Sequence, residues 1–253
     1  MLVSTGGFIE YVLTQGRAAV EQYIQESVAA VASPHLTNEE SFRFAQMLRI
    51  LDAVNVDVAA VAGTGDDLLI KAEKAANARG ARDMGLRPAP DGVGLPGMLE
   101  APNGRIRAFY ICASDLWGTA DRPLLQKAIA RAEYVIVQDI FRSPLAERTH
   151  VVLPSLTFAE KKGTFTSFAG RVQRLRQAIQ PPADQPNDGE IFSRILSWLA
   201  GRRWSFDPES VLEEIALSVP AYAGLTYDRV GRLGYALPDS GAAEAESPHA
   251  VCT

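Results

Sequence analysis

The chain has 253 residues, 47% of them hydrophobic and 22% charged, with a formal net charge of -5. That is ordinary globular composition, with enough chain to bury a substantial core as one large or two small domains, and its acidic balance argues against a nucleic-acid surface, which carries a basic excess. The two cysteines, Cys112 and Cys252, exclude a disulfide framework and cannot supply the thiolates of an iron–sulfur cluster, so the chain is not expected to complete a redox reaction alone.

Residues 1–11 lack the basic start of a secretory signal and already contain Glu10. No stretch approaches the ~18 uninterrupted apolar residues of a membrane span, so a soluble, cytoplasmic protein is expected. Between residues 15 and 32, Ala18, Ala19, Val20, Tyr23, Ile24, Val28 and Val31 recur at helical spacing, which predicts a helix ended by Ser33-Pro34. Thr37-Asn38-Glu39-Glu40 has the form of a capping box, in which a hydroxyl accepts from an amide three residues on while a glutamate reaches back. Phe44, Met47, Leu48 and Leu51 follow as one apolar face, predicting a helix over 38–52. Gly63-Thr64-Gly65-Asp66-Asp67 lacks the spacing of a nucleotide loop and opens on carboxylates that repel phosphate, so it reads as a turn. Residues 85–104 are dense in glycine and proline and read as a long loop or domain junction.

The clearest pattern follows. Residues 106–113 are β-rich, 119–132 helical and 134–138 almost purely apolar, which is a βαβ unit of a parallel sheet. Residues 149–153 supply a further strand closed by Pro154. The expected fold class is therefore α/β, a doubly wound, mostly parallel sheet. A small β-hairpin is predicted over 163–179, where Phe165, Phe168, Val172 and Leu175 flank Ala169-Gly170. Residues 190–199 read as a helix, and Asp207-Pro208 as the start of another. After Pro238 the composition predicts a disordered tail. The domain expectation is a helical/αβ portion over 1–90, a junction over 91–104, an α/β domain over 105–238 and the tail over 239–253.

Few residues suggest catalysis. His35, His150 and His249 are scattered, so no zinc site is expected. His150, with Asp139, Ser143 and Ser155 nearby in sequence, lacks a nucleophile-elbow pattern and reads as a partly exposed histidine at a strand entrance. Cys112, in an apolar run, reads as a small buried hydrophobe. Lys161, Lys162, Arg171, Arg174 and Arg176 gather around the predicted hairpin, where Arg174 and Arg176 share one face by the period of two. Arginine forks suit a phosphate or carboxylate, or a contact with a partner subunit.

Asn77-Ala78-Arg79-Gly80-Ala81, with Asp83-Met84-Gly85 and Pro88, resembles a glycine-rich segment of the molybdopterin oxidoreductase superfamily. Val137-Gln138-Asp139-Ile140-Phe141 and Val151-Val152-Leu153-Pro154 are similar to its strand motifs. So are Phe158-Ala159-Glu160-Lys161-Lys162-Gly163-Thr164-Phe165-Thr166 and Gly170-Arg171-Val172-Gln173. The likeness runs in order from about residue 33 to 238. The Asn77-Ala78-Arg79-Gly80 form looks most like the large iron–sulfur subunit of NADH-quinone oxidoreductase (respiratory complex I), without its cysteine-rich cluster domains.

What the resemblance implies is a non-catalytic scaffold subunit or fragment in the peripheral arm of such a complex, supporting electron transfer from NADH to quinone. It would carry no cofactor or metal of its own, with Arg171, Arg174 and Arg176 as interface residues toward other subunits. Its place would be the cytoplasmic face of the inner membrane, held through partners. Surface that the rest of a full-length relative would cover is then expected to be apolar and to need a partner. The alternative is a remnant of a formate dehydrogenase-like catalytic subunit binding a molybdopterin guanine dinucleotide with molybdenum or tungsten. Asn77, Arg79, Asp83, Lys161, Arg171 and Arg174 would then be its cofactor-binding residues.

Overall fold

The computed structural model of the chain describes residues 27–60, 63–66, 70–112, 116–182 and 185–238. Five strands, β1 (Val28–Ala32), β2 (Asn55–Val58), β3 (Ala108–Cys112), β4 (Tyr134–Asp139) and β5 (Val151–Pro154), form one sheet in the order β2-β1-β3-β4-β5. Every neighbouring pair is parallel. The chain therefore works outward from β1 in both directions, and the switch point lies between β1 and β3.

Strand β1 corrects the helix predicted over 15–32. Its described part, residues 28–32, pairs with strands on both sides, and the remainder lies outside the described residues. A short run of alanine and valine fits either element by period, and burial on both faces decides for a central strand. The expected tail over 239–253 also lies outside the described residues.

The period of two splits the sheet into two cores. On one face Ala30, Ala32, Val56, Val58, Tyr110 and Cys112 meet helices α1 (Asn38–Ile50) and α6 (Asp188–Leu199), through Phe44, Met47, Leu48, Phe192 and Leu196. Phe44 and Phe192 stack at 4.7 Å between ring centroids. On the other face Ala29, Val31, Phe109, Ile111, Val135 and Val137 pack under α3 (Leu95–Glu100) and α5 (Arg122–Arg131). Between the sheet's own strands come α2 (Ala78–Asp83) and the single turn α4 (Leu116–Thr119). A helix thus stands inside the stretch expected to be a loop, because Met98 and Leu99 bury against the sheet. Asp57 at the sheet edge accepts from the Leu95 amide at 2.7 Å and so secures the start of α3.

A second, three-stranded antiparallel sheet is ordered β6-β7-β8, with β6 (Gly163–Thr166), β7 (Arg171–Leu175) and β8 (Tyr235–Ala236). Its turn needs Gly170, whose φ of 71° is in the left-handed region. Together with α7 (Pro208–Ser218) and α8 (Tyr227–Val230), this sheet forms a third core around Phe42, Val172, Val211, Leu212, Ile215 and Tyr222. Helix α1 is consequently held between the large sheet and this second unit. That explains why its polar first turn, Asn38, Glu39, Glu40 and Ser41, is wholly buried.

Candidate functional site

Two buried polar clusters meet at the start of α1. Thr37 caps the helix as the sequence predicts: its hydroxyl accepts from the Glu40 amide at 3.1 Å, and Glu40 Oε2 accepts from the Thr37 amide at 2.8 Å. Such a cap contributes about 1 kcal/mol. The same Glu40 Oε2 receives Lys161 Nζ at 2.8 Å, and Lys161 Nζ also donates to Asp188 Oδ2 at 2.9 Å. Asp188 Oδ1 accepts from Gln138 Nε2 at 2.6 Å and from the Ser155 hydroxyl at 2.5 Å. Tyr110 OH closes the series by donating to Gln138 Oε1 at 2.6 Å. Gln138 and Ser155 leave the C-terminal ends of β4 and β5, so the cluster lies under the sheet edge where ligands of open α/β sheets bind.

Burial by itself would lower the Lys161 pKa, but Glu40 and Asp188 outweigh it and hold the ammonium above the ordinary lysine range. Glu40 moves up, because its desolvation exceeds the pull of Lys161. Burial, then Asp188, pushes the Cys112 thiol well above its usual range, so it stays a protonated hydrophobe and not a ligand or nucleophile.

The second cluster joins α1 to β6. Glu39 Oε2 accepts from the Thr164 amide and Glu39 Oε1 from the Thr164 hydroxyl, both at 2.8 Å. Asn38 Nδ2 donates to the hydroxyls of Thr164 at 3.0 Å and Thr166 at 2.9 Å. Thr166 meets Tyr222 OH at 2.7 Å, and Tyr222 OH donates to Asp83 Oδ2 at 3.0 Å. Asn77 donates to the Leu36 carbonyl at 2.7 Å and accepts from the Thr166 amide at 2.6 Å. Gly80 is required here: a Cβ on it would come within 2.0 Å of Asn38 Oδ1 and 2.2 Å of Asn77 Oδ1.

The residues singled out in the sequence therefore do not converge on one cradle. Asn77 uses both ends of its carboxamide inside the chain, and Lys161 is enclosed by carboxylates. Asp83 serves Tyr222 and, at 3.5 Å, the partly exposed Arg79. Arg171 donates to the carbonyls of Leu233 and Gly234, and Arg174 lies over the Tyr227 ring at 4.4 Å. Arg176 follows the end of β7 and is exposed. His150 stands at the opposite end of the sheet from Asp139 and Ser155, where its Nδ1 accepts from the Val135 amide at 3.0 Å and its ring stacks on Tyr134. Among the described residues no three His, Cys, Asp or Glu come together to hold a metal ion.

Glu39, Gln138 and Asp188 are the polar centres that sequence reasoning misses. Glu40 is visible there as a cap, but not as the partner of a buried lysine.

The molybdopterin oxidoreductase family matches residues 37–197, a span that holds the first cluster, the second except for Leu36 and Tyr222, and four of the five parallel strands. The chain belongs to the molybdopterin oxidoreductase family. It is 38% identical over 149 residues to the NADPH-Fe(3+) oxidoreductase subunit alpha of Geobacter sulfurreducens, covering 58% of this chain and 17% of that protein. To the F420-dependent formate dehydrogenase 2 subunit alpha of Methanococcus maripaludis it is 33% identical over 150 residues, covering 58% of this chain and 22% of that one. The chain thus spans about a fifth of the length of these curated relatives. Acetylene hydratase from Pelobacter acetylenicus superposes with a TM-score of 0.42 at 16% identity, over 56% of this chain and 20% of that one.

The family name carries a molybdopterin, and the candidate residues can be tested against it. A pterin dinucleotide needs donors and acceptors turned outward. Asn77 and Lys161 turn theirs inward to fasten the hairpin and its approach to α1 and α6, and Asp83 gives its carboxylate to Tyr222 and Arg79, so they do not fit the group as a set.

Proposed function

We propose that this chain is a non-catalytic, architectural α/β segment of a multi-subunit oxidoreductase, of the type of the large iron–sulfur polypeptide of NADH-quinone oxidoreductase. In this reading it supports electron transfer by holding neighbouring subunits, at the cytoplasmic face of the membrane, and carries no electrons itself. The single observation behind it is that the polar residues expected to hold a cofactor close on the chain's own segments. Large apolar side chains left in solvent add to it: Phe141 is 71% exposed beyond β4 and Phe158 is 65% exposed beyond β5, at the same end of the sheet. Exposed aromatic side chains are enriched at interfaces.

A second reading is favoured by the names of the relatives, several of which are formate dehydrogenases. There the chain is the segment of a formate dehydrogenase-like assembly that lies against a pterin dinucleotide held mainly by other segments, with Arg79 as this chain's contribution. The test is to isolate the protein from its own cells, identify what accompanies it and measure molybdenum and tungsten by elemental analysis. Co-purifying oxidoreductase subunits without either metal are expected. Stoichiometric molybdenum or tungsten on the isolated polypeptide would sink the architectural reading and leave the second.

A further inference from the structure

Glu39 is the one acid of the two buried clusters with no cation at hand. It is 0% exposed, and both its oxygens are turned to a single residue of the hairpin, Thr164. Among the described residues the ion pairs all belong to other carboxylates. A buried carboxylate without a counter-ion is expensive and tends to take up a proton instead.

The groups around Glu39 agree. On its own helix the neighbour is Glu40, a like charge, whose carboxylate is engaged by Lys161 together with Asp188 of α6. From α8 comes Tyr227, whose buried hydroxyl makes no hydrogen bond and is pushed above the usual phenol range by burial first and by Glu39 second. Arg174 of β7 lies over the Tyr227 ring, its buried Nε without a hydrogen bond, and makes no ion pair with Glu39. At the far end of the network the Tyr222 hydroxyl donates a hydrogen bond to Asp83, beside Arg79. Burial accordingly raises Glu39 to about 7, against the pull of its Thr164 bonds.

We propose that Glu39 is a proton site that sets how firmly the β6–β7 hairpin and the unit behind it are held against α1. With a proton on Glu39 Oε1, that oxygen donates to the Thr164 hydroxyl, which must then give its own hydrogen elsewhere. The acceptor is one turn of a carboxamide away. Asn38 Oδ1 is buried and makes no hydrogen bond as it stands, and it faces Asn77 Oδ1 across Gly80. Rotating the Asn38 amide brings its oxygen to the Thr164 and Thr166 hydroxyls and its NH2 to Asn77 Oδ1, so that two oxygens in opposition become a donor and an acceptor; Thr166 then donates to Asn38 Oδ1 and accepts the Tyr222 hydrogen, which leaves Asp83 to Arg79. The proton comes from solvent and no other group changes charge. Loss of that proton reverses the arrangement and leaves an unpaired anion between α1 and β6, which favours their separation.

The test uses the whole chain. Hydrogen exchange of the amides of residues 163–175, corrected for intrinsic chemistry, is followed against pH in the native protein and in Glu39→Gln. Where the proton is held only in the closed state, protection in the native protein should fall by about tenfold per pH unit and level off near neutrality. Glu39→Gln, neutral at all pH, should keep high protection and lose that slope. The infrared carbonyl band of a protonated carboxyl, present at mildly acidic pH and lost toward alkaline pH, should be missing in the variant. A slope that persists in Glu39→Gln, or a band unaffected by it, overturns the proposal. Should Glu39→Gln not fold, Thr164→Val removes one donor from the ionised form and should raise the pH at which the band disappears; an unmoved midpoint also overturns it.

Discussion

Lys161 and Glu40 lie 121 residues apart in sequence, yet the lysine Nζ and glutamate Oε2 meet at 2.8 Å with neither side chain more than 4% exposed. With Asp188 on the other side of the ammonium, this contact fastens β6's approach, the start of α1 and the start of α6 to one point. Both carboxylates also sit in the first turns of their helices, where the helix dipole favours a negative charge.

Removing the cation alone should therefore be worse than removing a surface charge. In Lys161→Met, Glu40 and Asp188 remain buried without compensation. The expected loss is on the order of 3–5 kcal/mol, the usual penalty for breaking one side of a buried pair. Urea denaturation of the native and variant proteins measures it. A loss below about 1 kcal/mol, as for an exposed pair, would mean that the triad does not hold these elements together.

How much of this is readable from the sequence follows from how local each signal is. The Thr37–Glu40 capping box, the Asp207 cap of α7 and the glycine of the hairpin turn involve neighbours in sequence, and the parallel strands β3 to β5 announce themselves as apolar runs. The α/β class is legible for that reason, whereas β1 is not, since its alanines and valines fit a helix equally well. Lys161 groups with the arginines of the hairpin in sequence because it is close to them along the chain. Its partners come from helices far from it in sequence, and no local period encodes such a pairing. The same holds for Glu39 and Thr164, 125 residues apart.

Gly80 offers a steric test of the second cluster. Alanine suits a helix interior better than glycine by about 1 kcal/mol, so Gly80→Ala would stabilise α2 if space allowed. Here the added methyl meets the carboxamide oxygens of Asn38 and Asn77 at distances no real Cβ tolerates. Asn77 is bonded at both ends of its carboxamide, and an Asn38 amide that turns over only exchanges its oxygen for its NH2 at the same place, so neither group withdraws from the methyl. The variant is expected to lose roughly 1–3 kcal/mol net, the range for overpacking. Thermal denaturation decides the sign, and a gain in midpoint would show that the Asn38–Asn77 packing is loose.

The three arginines read as interface residues separate into two kinds: Arg171 and Arg174 have partners within the chain, and Arg176 is exposed beyond the strand. Arg174→Glu removes a cation from the face of Tyr227 and should lower stability by about 1 kcal/mol in the isolated chain. Arg176→Glu changes an exposed residue beyond the strand and should leave the thermal midpoint of the isolated chain unaltered. Under the architectural reading it should nonetheless weaken co-purification with partner subunits, more so at low salt, where charge contacts are least screened. Unchanged co-purification would remove Arg176 from the interface.

The stability of the whole chain should carry the signature of Glu39. In the unfolded chain this carboxyl titrates near its ordinary value of 4.5, and in the folded protein burial raises it to about 7. Between those values the folded state binds a proton that the unfolded state has released, so unfolding free energy declines as pH rises through that window and is level above it. The difference corresponds to an effect on the order of 3 kcal/mol. Glu39→Gln should abolish this part of the decline, making the variant comparable to the native protein near pH 4.5 and more stable above pH 7. Chemical denaturation at a series of pH values measures both curves. Were Glu39 ionised throughout and stabilised by the Thr164 bonds, the order would be reversed, with the native protein the more stable of the two at alkaline pH.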